Sequence, residues 1–378
     1  MKNNLTEKVP RYFEPYVNDC FHNAYAAVLE YMGLNTRLIL ADYLSFMYDP
    51  VNGNIGVNYP YRMNTSVEFT EEELNTSMEF VYLPATKIYS GPAGGITGEV
   101  RYKDRVNINM YIDDNTDMAY SRLKSLVDSR KPVIAAVDLY YMSYHRAYMK
   151  EHGLHCIVIT GYDEKEGWFE LFDKFKLSSS DFDGRISIKE VNQGRASENP
   201  LALSNNILKR PVRNLWIEIY AENDFKISNE KLMNILAESC SRMTGQKRVL
   251  GQECGLKALD SFINDLLLKK EKGLENADID WYRTYLNMSF KNIVRNRKRF
   301  MVFVNEISSL LRENLAQEVC RYLDESSKHW DISASIALKL GIKKSLDLTD
   351  ELVKQLSEVR NLESCLVEEL ENYIGNRV

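Results

Sequence analysis

Near Ser228 the hydrophobic pattern of this chain changes period. Before it, apolar residues come in short runs separated by turn formers. After it, they recur three and four apart through NEKLMNILAES, GLKALDSFINDLLLKK, KRFMVFVNEISSLL and LTDELVKQLSEVRNLESCLVEELENYI. Phe300, Phe303, Ile307 and Leu310 keep helical spacing, and no strand-like alternation of comparable length interrupts the second half. A chain of 378 residues also exceeds one comfortable hydrophobic core. The expectation is a mixed α+β domain over residues 1–225 followed by an all-α domain over 226–378.

Within the first part, a helix is expected from about Thr116 to Ser129, with Met118, Leu123, Leu126 and Val127 inward. PVIAAVDLYY reads as a buried strand, and NLWIEIY as another near residue 217. The stretches YDPVNGNIGVNYPYRMN and YSGPAGGITG are rich in turn formers and read as loops.

Composition excludes several classes. A net charge of -6 lacks the basic surface that displaces counterions from nucleic acid. The N-terminus has no apolar signal core and no run of 18 apolar residues occurs, so neither export nor a membrane span is expected. The six cysteines are scattered without a CxxC pair and read as reduced thiols, which points to the cytoplasm.

One cysteine stands out by position. In NDCFHNAYAAVLEYMG, Phe21, Tyr25, Val28 and Met32 mark one helix face, Asn18 or Asp19 can cap its start, and Gly33 can end it. Cys20 then lies in the first turn, where free backbone N–H groups and the helix dipole favour a thiolate, the nucleophilic form. Taken alone, the segment reads more readily as one carrying a small core thiol.

A second feature supplies partners for it. HCIVITGY, DEKEG and WFELFD read as a β-hairpin. With the turn at Asp163–Gly167, Tyr162 pairs with Trp168 and Ile157 lies opposite Asp173. His155 is then diagonal to Asp173 on the same face, within reach of a hydrogen bond. A base and its orienting carboxylate at one end of a hairpin lack only a nucleophile. The histidines also admit a metal reading through Asp138, His145, His152 and His155. Asp138 by itself could orient a substrate or only cap a turn. Lys291, Arg295, Arg297, Lys298 and Arg299 form the dense basic cluster of an acidic chain, either a solvated helix face or a docking surface.

The order of Cys20, His155 and Asp173 resembles papain-like cysteine enzymes, among them the bacteriocin-processing peptidases. A closer resemblance is to the butirosin biosynthesis protein H-like family. It is carried by Pro132-Val133, Asp138, Tyr140-Tyr141, Tyr144-His145, His152, His155, Gly161-Tyr162-Asp163 and Asp173. The helical half resembles that family more weakly. Two positions depart from the pattern: Asp19 stands where a His commonly precedes the cysteine, and Glu14 where papain-like enzymes carry an oxyanion-binding Gln. Asn18 or a Tyr, together with the Cys20 N–H, would have to replace that Gln.

The resemblance implies a papain-like fold, in which the Cys-bearing helix packs on an antiparallel sheet, and an acyl transfer in specialised metabolism. An acyl group would pass from a carrier-protein thioester to Cys20 and then to a small amine. His155 would act as base and Asp173 as its orienter. Substrate-binding candidates are Asn18, His22, Asp138, Tyr141, His145 and His152. The implied partners are an acyl or peptidyl carrier protein, presenting its phosphopantetheine arm to the basic cluster, and the amine; a homodimer is a further option. No bound cofactor or metal is implied. The rival readings are a cysteine peptidase or amidase, with water as acceptor, and a catalytically inactive scaffold that binds a carrier protein.

Overall fold

The computed structural model describes residues 3–4, 8–14, 17–41, 43–51, 53–57, 82–83, 88–90, 106–175, 180–198, 212–248, 253–273 and 275–375. Much of the two expected loop stretches lies outside these residues. In chain order the elements begin with β1 (Asn3–Asn4), α1 (Cys20–Tyr31), α2 (Thr36–Ile39), β2 (Met47–Asp49), β3 (Asn54–Gly56), β4 (Tyr82–Leu83), β5 (Ile88–Ser90) and β6 (Val106–Ile112). Next come α3 (Thr116–Asp128), β7 (Val133–Asp138), β8 (Leu154–Asp163), β9 (Trp168–Phe175), β10 (Ser180–Ser187), α4 (Ile188–Arg195) and β11 (Trp216–Tyr220). The helices α5 (Asn229–Met243), α6 (Leu256–Lys272), α7 (Asn276–Asp280), α8 (Asn287–Glu306), α9 (Leu315–Lys343) and α10 (Thr349–Gly375) complete the chain, with a π-helical turn at Trp281–Leu286.

The chain divides into two compact units, one of Met1–Leu40 with Tyr82–Phe225 and one of Ala41–Val81 with Lys226–Val378. The first is α+β. Its main path of strands runs β10-β9-β8-β7-β11-β6-β4, antiparallel except where β4 and β5 join β6 in parallel. Val133 to Val137 are fully buried, as expected of a continuous apolar run in a covered strand. From α3, Ala119, Leu123, Leu126 and Val127 pack on Val133, Ala135, Val137, Ile157 and Ile159. Met118, expected inward, is 58% exposed because Ala119 takes the inward position of that turn.

The hairpin of β8 and β9 departs from the simple register near its turn. Asp163 pairs with Trp168, and Tyr162 with Phe169 instead of Trp168. A bulge between Ile159 and Gly161 absorbs the extra residue, Thr160, whose hydroxyl donates to the Glu170 carbonyl at 3.3 Å. Beyond the bulge Ile159 pairs with Leu171 and Val158 with Phe172, so continuing the ladder sets Ile157 against Asp173. The turn ends at Gly167, whose φ of +74° suits glycine.

The second unit is helical but not wholly so. The β2–β3 hairpin belongs to it, which corrects the expected boundary. Phe46, Tyr48, Ile55 and Val57 are buried among Phe262, Phe290, Trp330 and Leu356 of the helices, and this shared apolar core draws the segment out of the 1–225 domain. Among the described residues no helix is long and apolar enough to cross a membrane.

Candidate active site

The Cys20 helix is built to be enclosed. Ala24, Ala26 and Ala27 are small enough for close approach on several sides, and with Tyr25, Val28 and Leu29 they are buried. Asp19 is the N-cap: its Oδ1 accepts from the His22 backbone N–H at 2.8 Å and pairs with His22 Nδ1 at 2.9 Å. Asp19 therefore fixes the start of α1 and orients His22. The N–H groups of Cys20 and Phe21 have no intrahelical acceptor, as in the first turn of any helix. Asn23, one turn on, accepts from the Glu14 N–H at 3.3 Å and donates to the Lys174 carbonyl at 3.1 Å. That bond ties the Cys20 helix to β9 beside Asp173.

His155 opens β8 opposite Val137, and Asp173 lies near the end of β9; both are buried. His155 Nε2 donates to Asp173 Oδ1 at 2.7 Å, and the Cys20 thiol is hydrogen bonded to His155. With Nε2 engaged by the carboxylate, Nδ1 is the ring nitrogen left for the sulfur. Burial alone would lower the His155 pKa, but the negative charges of Cys20 and Asp173 and their hydrogen bonds outweigh it and push it up to about 10. The imidazole is thus held as a cation at neutral pH. Cys156, next in the chain and fully buried, is pushed well above the usual thiol range by burial and by the Cys20 charge, so it stays a thiol.

Tyr144 is the member of the site that the sequence reading did not assign. Its hydroxyl donates to the second Asp173 oxygen, Oδ2, at 2.8 Å, and its ring stacks on Phe182 at 4.3 Å. Burial and the Asp173 charge raise its pKa well above the ordinary value, so it remains a donor. The signal was present in the Tyr144-His145 pair, but nothing in the local pattern shows which carboxylate a tyrosine 29 residues upstream of Asp173 will reach. His145 is buried, 6.2 Å from the His155 ring between centroids, and its Nδ1 accepts from the Ala147 N–H at 3.1 Å.

Asp138 and His152 form a second dyad. Asp138 is fully buried and accepts four hydrogen bonds: Tyr140 N–H at 3.1 Å, Gly153 N–H at 3.0 Å, His152 Nδ1 at 2.6 Å and Ser197 Oγ at 2.6 Å. With its lone pairs filled it closes the 139–153 loop. Three of the four residues of the metal reading thus divide between two dyads while His145 Nδ1 accepts from a backbone N–H, and among the described residues no group of three or more His, Cys, Asp or Glu is set to hold a metal ion. Tyr141 is half-buried beside Tyr140, their rings 5.2 Å apart.

The position of the missing Gln is occupied by Glu14, whose carboxylate accepts from the Tyr12 hydroxyl at 2.8 Å. Asn18 is buried, its N–H donating to the Glu14 carbonyl at 3.3 Å.

Three of the five residues of the basic cluster point inward, not to a solvated face. Arg297 is fully buried and bidentate to Glu363, with Nε at 2.9 Å and Nη2 at 2.8 Å. Arg295 and Arg299 are also buried, and Arg295 donates to Asn292 Oδ1 at 2.6 Å. Lys291 and Lys298 alone are half-exposed. Ser326 and Trp330 complete the shell of Glu363, whose pKa is lowered because the Arg297 charge and these donors overcome burial. The cluster is an internal clamp of the helical unit, joining α8, α9 and α10.

No curated protein matches the chain. A family model described as butirosin biosynthesis protein H, N-terminal, matches residues 19–174, from the cap of the Cys20 helix to one residue past Asp173. Over those residues the chain is similar to the butirosin biosynthesis protein H-like family.

Proposed function

We propose that this protein is a cysteine-dependent acyltransferase of antibiotic-type specialised metabolism, with a papain-like catalytic unit. The family description supports the biosynthetic role. The observation that carries the chemistry is the hydrogen-bonded series Cys20–His155–Asp173–Tyr144, drawn from a helix start, two strands and a loop. A thiolate beside an imidazolium is nucleophilic without further activation. It attacks the carbonyl carbon of a thioester carried by a carrier protein's phosphopantetheine arm. The oxyanion meets the N–H groups at the start of α1. As the donor C–S bond breaks, His155 gives its proton to the leaving thiol. The acyl group now on Cys20 is attacked by an amine, the amide forms, and His155 recovers a proton. Asp173, fixed by Tyr144, keeps the ring oriented throughout. Exchange of one thioester for another is nearly isoenergetic, so the transfer needs no nucleotide.

Intact mass spectrometry tests this reading. Incubated with a carrier protein charged as a thioester, the chain should gain one acyl mass on Cys20, and Cys20→Ala should gain none. Adding the amine should discharge the adduct as an amide. Release of free acid without preference for any amine would favour a hydrolase. No adduct with any thioester, amide or peptide would leave a binding scaffold.

A further inference from the structure

The His152–Asp138 dyad lies one rung from the proposed catalytic pair: Val137 faces His155 in the β7–β8 ladder, and Asp138 faces Leu154. Its geometry exceeds what a loop clamp requires. The four donors to Asp138 leave its carboxylate no proton to give, so His152 donates from Nδ1, and in the neutral ring the lone pair lies on Nε2. The ring lies flat on Tyr140, 4.3 Å between centroids at 8°, which fixes its plane. Among the described residues Nε2 meets no protein partner, and the side chain keeps 12% of its surface in solvent. The titratable groups around the ring are Asp138 from β7, Tyr140 beneath it and the exposed Glu151 beside it in the chain, with Ser197 on the far side of Asp138. Only two residues separate His152 from His155, so their Cα atoms, three steps apart, lie within about 11 Å, the span of a small acceptor.

Proton bookkeeping gives such a base a task. An amine enters water-accessible sites as an ammonium. Before R–NH3+ can attack the Cys20 acyl thioester one proton must leave its nitrogen, and a second must leave as the C–N bond forms and the C–S bond breaks. His155, neutral after acylation, can take only one, which restores its cation beside the Cys20 thiolate. Water as acceptor sheds just one proton during attack, so a hydrolase has no use for a second base. We infer that His152 Nε2 is the acceptor-side base, taking the first proton from an ammonium acceptor and passing it to solvent, and that the acceptor is therefore a protonated primary amine.

This inference rests on the acyl-transfer reading, and one experiment separates the two. Cys20 is acylated with p-nitrophenyl acetate, release of p-nitrophenol reports acyl-enzyme formation, and the products are resolved as amide or acetate. Two acceptors are compared: glycinamide, largely an ammonium at neutral pH, and hydroxylamine, largely neutral. In His152→Gln the amide-to-acetate ratio with glycinamide should fall by about tenfold or more. With hydroxylamine it should stay within about twofold of the parent, since no first proton has to be removed. With glycinamide the parent and the variant should converge as the pH rises and the free amine becomes abundant. Equal losses with both acceptors would indicate a positioning role and overturn the inference, as would no loss with either. Absence of any acylation of Cys20 in the parent would overturn the acyl-transfer reading itself. Should His152→Gln fail to fold, the parent's rate with glycinamide decides: a rate that simply tracks the free-amine fraction across pH overturns the inference, and a rate in excess of it at neutral pH supports it.

Discussion

Replacing Asp173 with Asn keeps the shape of the side chain and removes its charge. His155 stands at about 10 because the charges of Cys20 and Asp173 and their hydrogen bonds outweigh a burial that would otherwise lower it. A hydrogen bond to a charged group is worth about 1.5–3 kcal/mol, and one pH unit corresponds to about 1.4 kcal/mol, so the variant should titrate about one to two units lower. The chain has 5 histidines, few enough to follow individually by NMR with labelled imidazole nitrogens. The same shift governs stability. Folding raises the His155 pKa from 6.5 to about 10. The folded state therefore keeps a proton that the unfolded chain sheds, and the stabilisation is full below 6.5 and lost as pH climbs through about 10. In Asp173→Asn the loss should begin at the same pH but be smaller and complete about one to two units sooner. A His155 midpoint equal to or above the parent's would refute the electrostatic account of this pair.

Tyr144→Phe leaves the stacking on Phe182 but strips one donor from a buried carboxylate, and should lower stability in urea by about 1.5–3 kcal/mol; a loss below about 0.5 kcal/mol would count against the hydrogen bond. Asn23→Ala orphans the Lys174 carbonyl and the Glu14 N–H, so it should cost about 1–3 kcal/mol and slow acylation of Cys20 by loosening α1 from β9, read from the p-nitrophenol burst. Glu363→Gln breaks a fully buried ion pair and should cost about 3–5 kcal/mol in chemical denaturation, whereas charge reversal at half-exposed Lys298 should cost far less.

The sequence carried the helix start, the strand–turn–strand and the Cys–His–Asp order because each depends on local period and turn chemistry. Asp19 capping α1 and His155 meeting Asp173 are of that kind. The register near the turn was off by one residue because a bulge at Thr160 leaves no mark in the alternation of apolar residues. Arg297 misled for a different reason. A run of basic residues on an amphipathic helix looks solvated until its counter-ion is known, and Glu363 lies 66 residues away. The transfer of Phe46 and Ile55 to the helical core, and the reach of Tyr144 to Asp173, are likewise tertiary facts that no window of neighbouring residues contains.

The central claim is that Cys20 reacts as a thiolate paired with the His155 cation. Competition is weak from several of the other thiols: burial pushes Cys240 up to about 12 and Cys320 up to about 11, and Cys156 higher than the ordinary range. Peptide mapping after brief exposure to iodoacetamide at about pH 6 measures the pairing directly. The account predicts that Cys20 is alkylated ahead of the other five cysteines, exposed Cys365 included, and that His155→Ala slows its labelling sharply. Labelling of Cys20 no faster than that of Cys365, or unchanged by His155→Ala, would contradict it.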